Sequence, residues 1–88
     1  MEDNEKQIAK NILTKLYNVV DEAKKYEITN AEELEGFRVK YLGVNGMLKE
    51  LFRDMKQLPA ELRKEFGEML GEFKYLNEEK YTYYKLII

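Results

Sequence analysis

The side chains best placed to do chemistry are cations. Arg38, Lys40, Lys49, Arg53 and Lys56 fall in one stretch, positions 36–56, which holds five bases against two acids, whereas positions 1–35 hold five Lys against nine acids. Positions 57–88 are nearly balanced, five bases against six acids, and the net charge of the 88 residues is −2. The middle third is therefore a basic exception on an acidic chain. Cations gathered in this way attract anionic surfaces such as a phosphate backbone. When charge is the only datum, ordinary solvated helix charge is the plainer explanation.

Other chemistries find little to work with. Cys, His, Ser and Trp are all absent, and Thr14, Thr29 and Thr82 are the only aliphatic alcohols. That removes the usual nucleophiles and imidazole bases, together with the preferred ligands of zinc, haem and iron–sulfur sites. No cofactor and no metal are expected. The carboxylate pairs Glu32–Glu33 and Glu78–Glu79 do not converge, because neighbours on a helix point about 100° apart; solvated faces explain them. Gly43 and Gly46 spell G-x-x-G, a spacing also used to clamp nucleic-acid backbones, but that use needs a three-stranded sheet for which no strands are in evidence. Two glycines closing a helix–helix turn explain the motif better. Met47, Met55 and Met69 read as core gap-fillers.

The elements that must carry these residues follow from apolar spacing. Ile8, Ile12, Leu16, Val19, Ala23 and Tyr26, widened by Leu13 and Val20, predict a first helix from Asn4 to about Tyr26. Thr29 and Glu32 have capping-box spacing, so a second helix begins near Asn30, with Leu34, Phe37 or Arg38, Tyr41 and Leu42 inward. Gly43 is expected to end it in the left-handed cap conformation. A short third helix, Met47 to about Met55, points Leu48, Leu51, Phe52 and Met55 inward, and Pro59 suits the first turn of a fourth. From Ala60 the series Leu62, Phe66, Met69, Phe73, Leu76, Lys80, Tyr83 steps by alternate fours and threes. Gly67 and Gly71 within it each weaken a helix by about 1 kcal/mol, which suggests close approach of another helix there. The tail from Tyr81 to Ile88 is β-prone in composition, but it continues the helical register and has no partner strand, so helix is expected.

The reading is one all-α domain over residues 1–88, an antiparallel, coiled-coil-like helical hairpin with shorter helices at the connecting end. The first and last helices would lie side by side as its limbs, and the basic turn would form its tip. The acidic start, Glu2, Asp3 and Glu5, is unlike a signal-peptide head, and no apolar run of about 18 residues occurs. A cytoplasmic protein with no membrane role is expected.

The series Phe37-Arg38-Val39-Lys40-Tyr41-Leu42-Gly43, Gly46-x-Leu48-x-x-Leu51, Leu58-Pro59-x-Glu61-x-Arg63 and Gly67-x-x-Leu70 resembles the N-terminal domain of the phenylalanyl-tRNA synthetase α chain, over roughly residues 30–76. The resemblance implies an antiparallel coiled-coil arm that holds tRNA, expected to be tRNA-Phe, for a class II catalytic core that follows it. It also implies a catalytic module and a β chain as partners within a phenylalanine–tRNA ligase. Arg38, Lys40, Lys49, Arg53 and Lys56 would then contact backbone phosphates, Asn45 would donate a hydrogen bond, and Lys64 and Lys74 would serve farther along. The chain departs from the family pattern in three respects: Val44 and Asn45 stand where bases are usual, Gly71 stands where Asn is common, and the tail after Leu76 ends in Tyr83, Tyr84, Leu86, Ile87 and Ile88 where a charged helix is usual. No ATP, phenylalanine or metal motif is present, so no catalysis is expected of this chain by itself. The rival from another class is a free-standing interaction module that pairs its apolar seams and tyrosine-rich tail with a partner or with itself; net acidity favours that rival.

Overall fold

The computed structural model describes residues 3–88 as helices joined by short turns, 49 × 20 × 17 Å overall. Helix α1 spans Asp3–Lys25, α2 Ala31–Phe37, α3 Met47–Asp54 and α4 Ala60–Ile87. A π-helical turn, Arg38–Leu42, extends α2, and a 3-10 turn, Met55–Gln57, extends α3. No strand occurs among the described residues.

Local chemistry accounts for most of the boundaries. Asn30 caps α2 by accepting the Glu33 N–H at 2.8 Å, while the Glu33 carboxylate reaches back to the Thr29 N–H at 3.0 Å and to its hydroxyl. The capping box therefore exists one residue later than Thr29–Glu32, since Asn is at least as good a cap as Thr. Pro59 sits at the head of α4, where its carbonyl accepts from Leu62 and Arg63. The tail is helical to Ile87, in agreement with its register.

Contacts across the molecule fix the topology. Along α1, Lys15 meets Glu50 and Asp54, Glu22 meets Lys40 and Tyr41, and the Tyr26 ring packs edge-on against Phe37 at 5.4 Å. Residue numbers rise on α1 as they fall on the segment 31–57, so the two are antiparallel. Along α4, Arg63 donates to the Leu58 carbonyl at 2.8 Å, Gly67 lies beside Met55, Lys74 beside Leu42 and Leu48, and the Lys80 ammonium stands 5.2 Å from the Phe37 ring centre. This pair is antiparallel too.

The antiparallel hairpin is thus present, with α4 as one limb and the bent segment α2–α3 as the other. The expectation that α1 and α4 would be its opposed limbs is corrected: both oppose the middle segment and so run parallel to each other, Leu13 near Phe66 and Val20 near Phe73. The turn at Gly43–Gly46 lies about halfway along α4, beside Lys74, and does not form a tip.

A single apolar cluster runs through the three rods, with Phe37, Tyr41, Leu51 and Leu70 wholly buried. On α1 the buried stripe is Ala9, Ile12, Leu16, Val19 and Ala23, close to the expected seam. On α4 it is Phe66, Leu70, Phe73 and Asn77. Leu76 and Tyr83, expected inward, are 45% and 59% exposed. The cause is geometric: α4 packs on two neighbours, which draws Leu70 into the core, and α1 ends at Lys25 before it could cover Tyr83. Lys80 closes that end of α1, donating to the carbonyls of Ala23 at 2.7 Å and Tyr26 at 2.8 Å; the Ala23 carbonyl otherwise accepts only a long bond from the Tyr26 N–H at 3.4 Å. Burial holds its ammonium below the usual lysine range.

The glycines also differ from expectation. Gly43 and Gly46 have φ of −69° and −80°, so neither uses the left-handed region. A Cβ at Gly43 would stand 2.7 Å from the Val39 carbonyl oxygen, and one at Gly46 2.9 Å from that of Lys40. The G-x-x-G spacing lets the turn lie directly on the carbonyls of the π turn. Gly67 and Gly71 meet no close helix: the nearest atom to a Cβ at Gly67 is the Met55 sulfur at 3.6 Å, and at Gly71 there is open space.

Candidate functional site

The charges of the middle segment separate onto two faces. Glu50 and Asp54 share one side of α3 by their four-residue spacing, and both turn to α1, where Lys15 binds each at 2.7 Å. These two hydrogen-bonded pairs raise the affinity of the Lys15 ammonium for its proton, the bond to Asp54 contributing most. Lys49, Arg53 and Lys56, spaced four and three apart, occupy a separate, exposed side about 110° round the helix and have no ion-pair partner among the described residues. The only two acids of the basic third are thereby drawn toward α1 and share one ammonium, which offsets one of their two charges, and three cations are left without an ion-pair partner.

Helix α4 adds to this face from one side only. Lys74 lines a shallow groove with Leu42, Leu48, Lys49 and Phe52, which brings it beside the α3 cations. Lys64 is exposed one position round from the row Arg63, Gly67 and Lys74 that faces α3, so it lies outside the groove. Glu61, Glu65, Glu68 and Glu72 recur every three or four residues as a separate stripe. Glu65 and Glu72 of that stripe border the grooves against α1. The bundle therefore has a cationic face on α3, joined by Lys74 of α4, and an acidic stripe on α4 that borders α1.

The remaining expected residues divide. Arg38 opens the π turn with its guanidinium fixed by Glu35, Nε to Oε2 at 3.1 Å and Nη2 to Oε1 at 2.5 Å. That hydrogen bond holds the Glu35 carboxyl below the usual carboxylate range. Asn45 is exposed in the turn and, with Arg38, Val39, Gly43 and Val44, lines a concavity of about 220 Å³. Lys40 points the other way, paired to Glu22 on α1 and 5.6 Å from the centre of the Tyr41 ring. Hydrogen bonds from Lys40 and then Tyr41 hold the Glu22 carboxyl below its ordinary range. The Tyr41 phenol, buried and donating to Glu22 at 2.7 Å, is pushed well above the normal tyrosine range.

Lys49 and Lys74 thus share a groove, Arg53 and Lys56 continue the α3 face that Lys49 begins, Arg38 and Asn45 line the concavity before it, and Lys40 and Lys64 stand apart. Lys15 is the residue that sequence reasoning missed. Its partners lie 35 and 39 residues away, and only the fold reveals the pairing. The carboxylate pairs have structural tasks in part: the Glu33 carboxylate accepts from the Thr29 N–H and hydroxyl just before α2, and Glu79 accepts from the Tyr75 hydroxyl at 2.7 Å.

Comparison with known proteins assigns the family of the chain. Residues 29–85 match the family model described as aminoacyl tRNA synthetase class II, N-terminal domain. The chain is 42% identical over 69 residues to the phenylalanine–tRNA ligase alpha subunit of Flavobacterium johnsoniae, covering 78% of this chain and 20% of that protein. It is 39% identical over 66 residues to that of Flavobacterium psychrophilum, covering 75% and 20%, and 39% identical over 69 residues to that of Phocaeicola vulgatus, covering 78% and 20%. It spans about a fifth of the length of these relatives. No solved structure matches. The chain belongs to the class II aminoacyl-tRNA synthetase N-terminal domain family, of the phenylalanyl-tRNA synthetase α type.

Proposed function

From that membership we propose that the chain is a tRNA-binding arm that serves phenylalanine–tRNA ligation and contributes no catalytic residue of its own. The carrying observation is the exposed cationic face: Lys49, Arg53 and Lys56 on α3, with Lys74 across the groove from Lys49, while Glu50 and Asp54 are turned to α1 and paired with Lys15. On this reading these four side chains meet backbone phosphates. Arg38 and Asn45 lie at the end of the track, and Lys40 and Lys64 contribute at its margins. The acidic stripe on α4 repels a polyanion from the other flank, so the RNA is held on one side. Partners on this reading are tRNA, expected to be tRNA-Phe, and the catalytic module and β chain of the ligase, in the cytoplasm.

Neutralising four phosphates releases counterions, so the log affinity for tRNA should fall with log salt at a slope of about −3. Lys49→Glu with Arg53→Glu should weaken binding and flatten that slope. A parent protein with no salt-sensitive tRNA binding would defeat the reading.

One observation favours the second reading, a self-associating or protein-binding module. Tyr83, Leu86, Ile87 and Ile88 are between 51% and 81% exposed at the end of α4. On that reading the apparent mass by light scattering rises with concentration, and tRNA has no effect.

A further inference from the structure

The concavity beside the π turn has a chemistry that differs from the cationic row next to it. Its walls are Val39 and Val44, 53% and 82% exposed. They belong to a segment whose other large apolar side chains pack against the core, so their exposure is not explained by a lack of neighbours. At its rim stand the Arg38 guanidinium, held flat by two bonds to Glu35, and the Asn45 carboxamide, which both donates and accepts. Gly43 adds no side chain to the floor.

The turn beside it is internally braced. The turn closes on itself through the Gly46 N–H to the Gly43 carbonyl at 3.0 Å and rests directly on the carbonyls of Val39 and Lys40. Such a frame does not have to be ordered when a ligand arrives.

We propose that this concavity receives one unpaired, unstacked nucleobase of the bound RNA; the proposal rests on the tRNA-binding reading above. Asn45 lies one helical turn before Lys49, at the head of the row Lys49, Arg53 and Lys56. A strand whose phosphates follow that row has its next nucleotide at the concavity. Two aliphatic walls and a planar guanidinium suit the flat faces of a base, and a carboxamide suits its hydrogen-bonding edge, which is how single-stranded RNA is usually read. A duplex offers no such base, since its bases are stacked and paired. The cationic row supplies affinity for any RNA, and the concavity selects RNA with an open nucleotide.

The test compares Val44→Ala/Asn45→Ala with Lys49→Ala/Arg53→Ala by fluorescence anisotropy over a series of salt concentrations. The probes are tRNA and a blunt RNA duplex of similar length. Both substituted pairs are exposed, so the fold should persist, and circular dichroism verifies it. The turn variant should lose roughly 5- to 10-fold in affinity for tRNA with an unchanged salt slope, and nothing for the duplex. The α3 variant should lose affinity for both probes and flatten both slopes. Independently of any variant, the parent protein should prefer tRNA to the duplex.

If the turn variant binds tRNA like the parent while the α3 variant is impaired, the nucleobase site is refuted and the arm reading stands. If the turn variant flattens the slope, or weakens the duplex equally, its residues act on phosphates and the proposal falls. If the parent binds neither probe, both readings fall together.

Discussion

Two regions of the molecule share a composition and meet opposite fates. The corner where α2 passes through the π turn into α3 holds Phe37, Tyr41 and Leu51, all at 0% exposure. The end of α4 holds Tyr83, Leu86 and Ile87, at 59%, 81% and 60%. Apolar character is the same; reach of the neighbours is not. The corner is covered by α1 on one side and α4 on the other, and its rings pack together, Phe37 to Tyr41 at 5.1 Å and Tyr26 to Tyr41 at 6.0 Å. On α4 the last side chains packed on the core are Tyr81 and Tyr84. Tyr83 between them points away from the core, and among the described residues no other helix packs on Leu86 and Ile87. Burial is a property of the assembled rods, and a heptad pattern in one of them does not specify it.

The comparison breaks most visibly under truncation. Phe37→Ala should cost about 3–5 kcal/mol through lost transfer energy and a residual cavity. That is a large part of the stability of a small domain. Leu86→Ala should change stability by less than about 0.5 kcal/mol. Urea denaturation followed by circular dichroism reads both, and similar losses at the two sites would show that the end of α4 is covered.

A finer break uses glycines. At Gly43 a methyl group meets the backbone of Val39, which cannot move like a side chain, so Gly43→Ala should destabilise by about 1–3 kcal/mol. At Gly71 the space is open and the backbone helical, so Gly71→Ala should stabilise by up to about 1 kcal/mol. Thermal melts with Tm moving in opposite directions would bear this out; a drop for Gly71→Ala would mean a neighbour closes on that face.

The smallest effect is in pH dependence. Glu22, beside the corner, has its carboxyl depressed by Lys40 and Tyr41. Its contribution is present above the unfolded carboxylate pKa and is lost as pH falls through the lower folded value. The side chain is 48% exposed and solvent screens the pair, so the contribution is under about 1 kcal/mol. Glu22→Gln should make stability between pH 5 and pH 3 slightly less pH-dependent than in the parent. An unchanged acid limb would remove Glu22 from the account.

The sequence was most informative where a pattern is local. The α1 stripe, the cap near Asn30, the start of α4 after Pro59 and the helical tail follow from spacing and backbone chemistry over a few residues. Contacts between distant segments were not legible. That Lys15 would collect Glu50 and Asp54, and so leave Lys49, Arg53 and Lys56 facing outward, depends on α1 opposing the middle segment. Periodicity identifies stripes and does not say which stripes meet, which is why α1 and α4 looked like opposed limbs. The π turn leaves no periodic trace in five residues. It also explains Gly43 and Gly46 as close packing where a left-handed cap was expected. The candidate site was legible as a list of cations; its one-sidedness was not.

The central claim is that RNA is held on the α3–α4 flank. Titrating 15N-labelled protein with tRNA and following backbone amide shifts tests it directly. Shifts concentrated at residues 38–56 and around Lys74, with residues 83–88 and the Glu61–Glu72 stripe unmoved, are the predicted result. Shifts centred on the end of α4, or spread evenly over both flanks, would contradict the account.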